Sequence, residues 1–299
     1  MRPKLLIFDT NRDITTKVVL KFAQGASRDK NWEVRFQKID KFNKSGLDAS
    51  LRPGIDAVAS LGILRGTGEM FKVARTRGID FYYIDHAYFN SGYGGDGWMR
   101  IVKNGHSRSD FQKVSSERYD KFFKSTHPIL PWKNNTQRKD KIIVCPPTHA
   151  VAWYMGLTEN WTQQTVDKLK KILPESEHNR IVIRAKPNEP IVDEVGNLIK
   201  FQHNISEGSL NDDLNNAFCV IAYNSNVALS ATLKGIPVIT SEHSCCYSIS
   251  FSVDDFANPK VFDIEPIHRT ELMYWLANNQ WTIAEMQNGT AWKMLQDNN

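Results

Sequence analysis

Short apolar runs alternate with amphipathic stretches along the first hundred residues. "KLLIFDT" (residues 4–10) predicts a strand, and residues 14–26 carry helical spacing. "WEVRFQKID" (residues 32–40) alternates like a half-buried strand, and "AVASLGIL" (residues 57–64) reads as a buried one. Residues 68–78 predict a helix closed by Gly78, and "DFYYID" (residues 80–85) the next strand. Such repetition implies a parallel sheet with helices on both faces. Residues 90–106 are rich in glycine and aperiodic, which predicts a long functional loop or lid.

Residues 127–141 are polar and basic, hold prolines, and predict a linker. The alternation then restarts. Strands are expected at residues 141–147, 180–187, 218–223 and 237–241, with a helix at 161–173 and a short one inside "NSNVALSATLKGIPVIT" (residues 224–240). Residues 270–296 carry helical spacing that can pack back across the first half. The fold class is therefore α/β, with two Rossmann-like domains meeting at a cleft and C-terminal helices returning to the first. The expected divisions are 1–135, 136–269 and 270–299.

The chain has 299 residues, with 41% hydrophobic and 24% charged, which is ordinary for a globular protein of two domains. No apolar run approaches the ~20 residues of a membrane span. The N-terminus reads as a first strand and not as a signal peptide. Cys145, Cys219, Cys245 and Cys246 suggest no disulfide framework and no zinc spacing, so a cytoplasmic, reducing setting is expected. The net charge of +5 suits an anionic ligand or nucleic acid and is common among small enzymes.

Ligands of open α/β sheets bind beyond the carboxyl ends of the strands. In the second half those ends include Arg184 and Lys186, two residues apart, and the helix start at Ser225 and Asn226. Two cations and free backbone N–H groups can hold a diphosphate without a metal. Read singly, Arg184 and Lys186 are solvated charges and Ser225 is a cap; read jointly, they favour a phosphate site. In the first half, Arg65 and Gly66 form a turn that lets an acceptor approach the backbone, with Glu69 just inside the following helix. Glu69 is a candidate for catalysis or a residue placed for the helix dipole. Asp85 and His86 suit a general base that deprotonates a hydroxyl. The plainer reading makes Asp85 a cap and packs His86. The loop beyond, with Tyr88, Trp98, Arg100 and Asn104, is expected to cover the acceptor. The chain has no GxGxxG, P-loop or GxSxG motif, and its histidines are scattered, so no metal is expected.

"RAKPN", then "SLNDDLNNAFCVIAYNSNVALSATLKGIPVIT", resembles the donor half of GT-B glycosyltransferases, nearest to the capsule-polysaccharide and glycerophosphotransferase-like branch. The likeness covers residues 181–241. Asn188 stands where many members carry His, and Ser230 or Ala231 stands near the family glutamate that binds the donor ribose, leaving Glu242 or Asp212 for that contact. "FYYIDHAYF" and "WMRIVKNG" are similar to phage-encoded glycosyltransferases. The resemblance implies a nucleotide-diphosphate sugar, with UDP-glucose expected, as co-substrate and no other cofactor. Ser209 and Leu210 would meet the base, and Arg184, Lys186, Ser225 and Asn226 the diphosphate, with cations in place of a metal. The expected acceptor is a 5-hydroxymethylpyrimidine in double-stranded DNA, as in the T-even phage glucosyltransferases, which share this architecture, in the host cytoplasm. The basic charge and aromatic loop suit a flipped base. A surface polysaccharide or lipid-linked glycan is the alternative acceptor, and a non-catalytic nucleotide-sugar-binding module the alternative class.

Overall fold

The computed structural model describes residues 2–10, 12–38, 51, 53–93, 97–108, 110–157, 160–186 and 204–297. The strands among them are β1 (Lys4–Asp9), β2 (Glu33–Lys38), β3 (Ala57–Leu61), β4 (Asp80–His86), β5 (Trp98–Lys103), β6 (Lys141–Cys145), β7 (Ile181–Ile183), β8 (Asn204–Ile205), β9 (Ala217–Ala222), β10 (Val238–Thr240) and β11 (Gln280–Thr282). They form two separate sheets, of order β11-β5-β4-β3-β1-β2 and β10-β9-β6-β7-β8. Two compact units correspond to them: Met1–His106 with Ala277–Asn299, and Ser107–Leu276. Each is Rossmann-like, a mainly or wholly parallel sheet with crossover helices. The sequence-based divisions stood at 135/136 and 269/270; the compact units part after His106 and after Leu276.

In the first unit β4, β3, β1 and β2 are mutually parallel; the helices Asp13–Ala26 and Thr67–Thr76 make the crossovers from β1 to β2 and from β3 to β4. β1 and β3 are covered on both faces and so read as unbroken apolar runs. β5 and β11 extend the sheet antiparallel. The helix Asp13–Ala26 turns Thr15, Val18, Val19, Phe22 and Ala26 inward. They meet Tyr82, Ile84, Trp281, Met286, Trp292 and Leu295 in one core. Trp281 and Trp292 are buried; at about 25 cal/mol per Å², each contributes roughly 4–6 kcal/mol. The helices Ile283–Asn288 and Thr290–Asp297 therefore belong to this core. Trp292 Nε1 also donates to Asp29 at 3.1 Å, and Gln296 Nε2 to the Tyr82 hydroxyl at 2.9 Å.

The second unit is parallel throughout. Ile142, Val144, Ile181, Ile183, Cys219 and Ile221 pack beneath Val166 and Leu169 of the helix Trp161–Ile172. Cys145, Cys219, Cys245 and Cys246 are all buried.

Two expectations are corrected. Residues 90–106 are not one loop: Trp98–Lys103 is strand β5, paired to β4 on one side and to β11 on the other. Its flanking glycines mask it in the sequence. They are there for closeness, since a Cβ at Gly97 would stand 2.0 Å from the Gly92 carbonyl oxygen. Residues 127–141 are not a linker but part of the second unit. Leu130 and Lys133 donate backbone N–H groups to Leu233 and Gly235, and the buried Arg138 donates to the carbonyl of Phe262 and to Asp263. Gly235 is required where this segment crosses: its φ is +72°, and a Cβ there would meet the Pro131 oxygen at 2.1 Å. The turn at residues 187–190, Asn188 included, lies outside the described residues.

Candidate functional site

In the first unit the carboxyl ends of β1, β3 and β4 share one sheet edge, because these strands are parallel. Asp9 closes β1, is fully buried, and accepts the Thr16 hydroxyl at 2.7 Å. After β3, Arg65 (φ 62°) and Gly66 (φ 88°) are both left-handed. Only Gly66 adopts that geometry without steric cost. Thr67 then starts the helix Thr67–Thr76, its hydroxyl 2.7 Å from the Gly62 carbonyl. Arg65 and Glu69 are exposed.

Alternation on β4 separates Asp85 from His86, since successive side chains leave opposite faces of a strand. Asp85 turns to the face of Tyr83, beneath Phe71, whose ring lies 5.7 Å from that of Tyr83. It accepts the Tyr83 hydroxyl at 2.5 Å and Arg100 at 3.0 Å. Register places Arg100 directly opposite Asp85. The buried Arg100 guanidinium lies 5.8 Å from the centre of the Tyr83 ring and 5.5 Å from that of Tyr88. His106 stacks on Tyr83, and its Nε2 lies 3.1 Å from the Tyr83 hydroxyl. Burial alone would raise the Asp85 carboxyl. The Arg100 charge, His106 and the Tyr83 hydroxyl outweigh it and hold the group below the usual carboxylate range. Burial and the Asp85 charge push the Tyr83 phenol well above its ordinary value, so it keeps its proton and donates.

His86 faces the other way and is exposed. Its Nδ1 lies 2.7 Å from Ser91 Oγ and its Nε2 2.9 Å from the Tyr93 hydroxyl. The expected Asp–His pair is thus two clusters on two faces. Of the expected acceptor loop, Tyr88 and Trp98 are buried at 6% exposure each, and Arg100 at 4%. Asn104, left-handed at φ 57°, caps the end of β5 by accepting the Phe81 N–H and donating to Asp80. Tyr83, His106 and Ser91 escape the sequence reading. A period of two along β4 would have joined Tyr83 to Asp85.

In the second unit β7, β6, β9 and β10 also end along one edge. Arg184, just beyond β7, is committed: it donates to Asp213, to Ser206 Oγ and to the Gly208 carbonyl. Asp213 is almost fully buried, and Lys141 holds its other oxygen at 3.2 Å. Burial raises this carboxyl, and the Ser206, Arg184 and Lys141 hydrogen bonds more than offset that and lower it. Lys186 is exposed. Ser209 caps the helix Leu210–Asn215, its Oγ accepting the Asp212 N–H at 3.1 Å. Ser225 Oγ accepts the Val227 N–H at 3.3 Å, and Asn226 is the N-cap of the helix Val227–Leu233. Glu242 is exposed, 3.7 Å from His243 Nε2. Beside these ends the Tyr223 ring meets Trp161 at 5.8 Å and His243 at 5.9 Å, a cluster the sequence reading did not assemble.

A cavity of about 570 Å³ opens in this unit, lined by Lys141, Arg180, Val182, Ile205, Ser206 and Gly208 among others. It adjoins the Arg184 cluster: Arg184 donates to Ser206 and Gly208, Lys141 shares Asp213 with it, and Arg180 stands just before β7. Among the described residues no three His, Cys, Asp or Glu side chains gather as metal ligands, and no helix is long and apolar enough to cross a membrane.

No family model and no curated protein matches the chain. Solved structures resemble it in fold. Thermosulfurimonas dismutans KpsC, a beta Kdo 2,4 transferase, is 13% identical with a TM-score of 0.48, over 93% of this chain and 90% of the other. Thermobaculum terrenum O-GlcNAc transferase is 12% identical with a TM-score of 0.40, over 99% and 66%. Methanocaldococcus jannaschii UDP-GlcNAc 2-epimerase, in complex with UDP-GlcNAc and UDP, is 9% identical with a TM-score of 0.34, over 92% and 98%.

Proposed function

We propose that this chain is a GT-B-type glycosyltransferase that moves a sugar from a nucleotide-diphosphate sugar to an acceptor hydroxyl. One observation carries the reading. The stretch that resembles the donor half of such enzymes, residues 181–241, supplies β7, β8, β9 and β10, four of the five strands in one parallel sheet. Its motif residues therefore fall at carboxyl ends, where open α/β sheets bind ligands.

In this reading Lys186 and the backbone at Ser225–Asn226 meet the diphosphate. Arg184 contributes indirectly, because its bonds to Ser206, Gly208 and Asp213 fix the turn that presents Ser209 and Leu210 to the base. Glu242 meets the ribose. Positive charge and N–H dipoles aimed at the leaving diphosphate stabilise the charge that develops there, without a metal.

The narrower proposal for the acceptor is 5-hydroxymethylpyrimidine DNA, and the net charge of +5 favours it. The aromatic residues first assigned to a flipped base are largely buried, so contact would fall to Tyr93, Arg65 and the Gly66 turn.

The test is nucleotide release and nucleoside mass spectrometry with a donor panel. It is run without acceptor, with a glycan, and with hydroxymethylpyrimidine DNA, each with and without EDTA. Acceptor-dependent release that persists in EDTA is expected, and Lys186→Ala should lose about 2–4 kcal/mol of transition-state stabilisation. No release from any donor would overturn the reading. Transfer to glycan alone would overturn the DNA acceptor.

A further inference from the structure

His86 is held at both ring nitrogens. Ser91 Oγ lies 2.7 Å from Nδ1, and the Tyr93 hydroxyl 2.9 Å from Nε2. The Tyr93 ring meets the imidazole edge-on, with centroids 5.0 Å apart. The segment that carries Ser91 is itself fixed. Asn90 is left-handed at φ 52°, a geometry that costs a non-glycine residue energy and persists where its surroundings impose it. Ser91 bridges to Trp98, and the buried Gln280 clamps Phe89 by accepting its N–H at 2.9 Å and donating to its carbonyl at 3.1 Å. Ser91 Oγ also accepts the Ala87 N–H at 3.2 Å.

The geometry points to His86 as the general base of the transfer, with Ser91 orienting its ring and the Tyr93 hydroxyl standing in the place of the acceptor hydroxyl. This rests on the glycosyltransferase reading for the nature of the acceptor. The proposal places the ring proton on Nδ1, donated to the Ser91 Oγ lone pair that the Ala87 N–H does not use. That leaves Nε2 as the open lone pair. Burial, together with the Asp85 charge, holds the Tyr93 phenol above its ordinary value, so it stays protonated and donates to Nε2. An incoming hydroxyl displaces it and gives its proton to Nε2. The acceptor oxygen bonds to the anomeric carbon as the bond from that carbon to the diphosphate oxygen breaks. The electron pair leaves with the nucleoside diphosphate, and the imidazolium then returns its proton to water. Asp85, bound by Arg100 and Tyr83, is a counter-ion on the other face and is not the base.

The experiment is ¹⁵N NMR of the histidine rings in the full chain, at alkaline pH where imidazole is neutral, with His86→Gln to assign the signal. His86 should be the Nδ1–H tautomer. Ser91→Ala should move it toward Nε2–H, and Ser91→Thr should restore it. In transfer assays His86→Gln should lower kcat about 100-fold or more. Ser91→Ala should lower kcat about tenfold, the worth of one hydrogen bond, with acceptor KM unchanged, and Ser91→Thr should recover it. Tyr93→Phe should raise kcat/KM for the acceptor severalfold, because Nε2 loses its competitor. An Nε2–H ring in the wild type, or full kcat in His86→Gln, overturns the proposal. A wild type that turns over no donor overturns the transferase reading and leaves the tautomer to decide the clamp.

Discussion

Arg100 and Asp85 show how one ion pair organises a sheet edge. The side chains are 5% and 21% exposed, and the carboxylate takes a second bond from Tyr83. Removing one partner of such a pair leaves an uncompensated charge, which outweighs any gain in side-chain entropy. Arg100→Ala should therefore destabilise the first unit by about 3 kcal/mol, read as a lower urea midpoint at unchanged slope. The pair also sets a pH dependence. The folded carboxyl lies below its unfolded value, so its contribution is complete well above pH 4 and is lost as pH falls through the folded value. The difference in Tm between wild type and Asp85→Asn should be largest at pH 6 and shrink below about pH 4. A difference that stayed constant down to pH 3 would mean Asp85 is not held ionised. Tyr83 donates its one proton to Asp85, so His106 Nε2 must be the donor to the Tyr83 oxygen.

At the scale of elements, helix packing opposes helix propensity at Gly25. Alanine is the better helix former by about 1 kcal/mol. A Cβ at Gly25, however, would stand 1.9 Å from the Met286 carbonyl oxygen, which is backbone and cannot swing aside. Packing should win, and Gly25→Ala should lower Tm, at a cost of about 1–3 kcal/mol from separating Asp13–Ala26 from Ile283–Asn288. An unchanged or raised Tm would show that the two helices do not touch as described. The same contest explains what the sequence revealed. β1, β3 and β9 were legible because both faces are buried and the run is continuously apolar. β5 was not, because glycines precede it and Arg100 interrupts it, and that charge is tolerated only opposite Asp85. The three residues of β11 carry no pattern of their own and are a strand only by pairing with β5. Asp85 and His86 stood out as chemical residue types. Their partners Tyr83, His106 and Ser91 did not, because register and turns bring them in.

For the whole molecule, the first unit closes with residues from far along the chain. Trp281, Met286, Trp292 and Leu295 share its core with Phe22 and Tyr82, and Gln280 clamps the segment after β4. A chain ending at Leu276 should lose the cooperative melting of the first unit, while Ser107–Leu276 keeps its own, seen as one lost calorimetric transition and rapid proteolysis of residues 1–106. Supplying residues 277–299 as a peptide should partly restore protection. The same architecture sets an order of events during synthesis. Residues 1–106 leave the ribosome before Ser107–Leu276, and the strand that completes their sheet leaves only after it. At elongation rates of about 5–20 residues per second that interval is roughly 10–30 s, far longer than a small domain needs to fold. Throughout it β5 offers an unpaired edge, the kind of surface on which nascent chains of one polysome pair with each other or a chaperone intervenes.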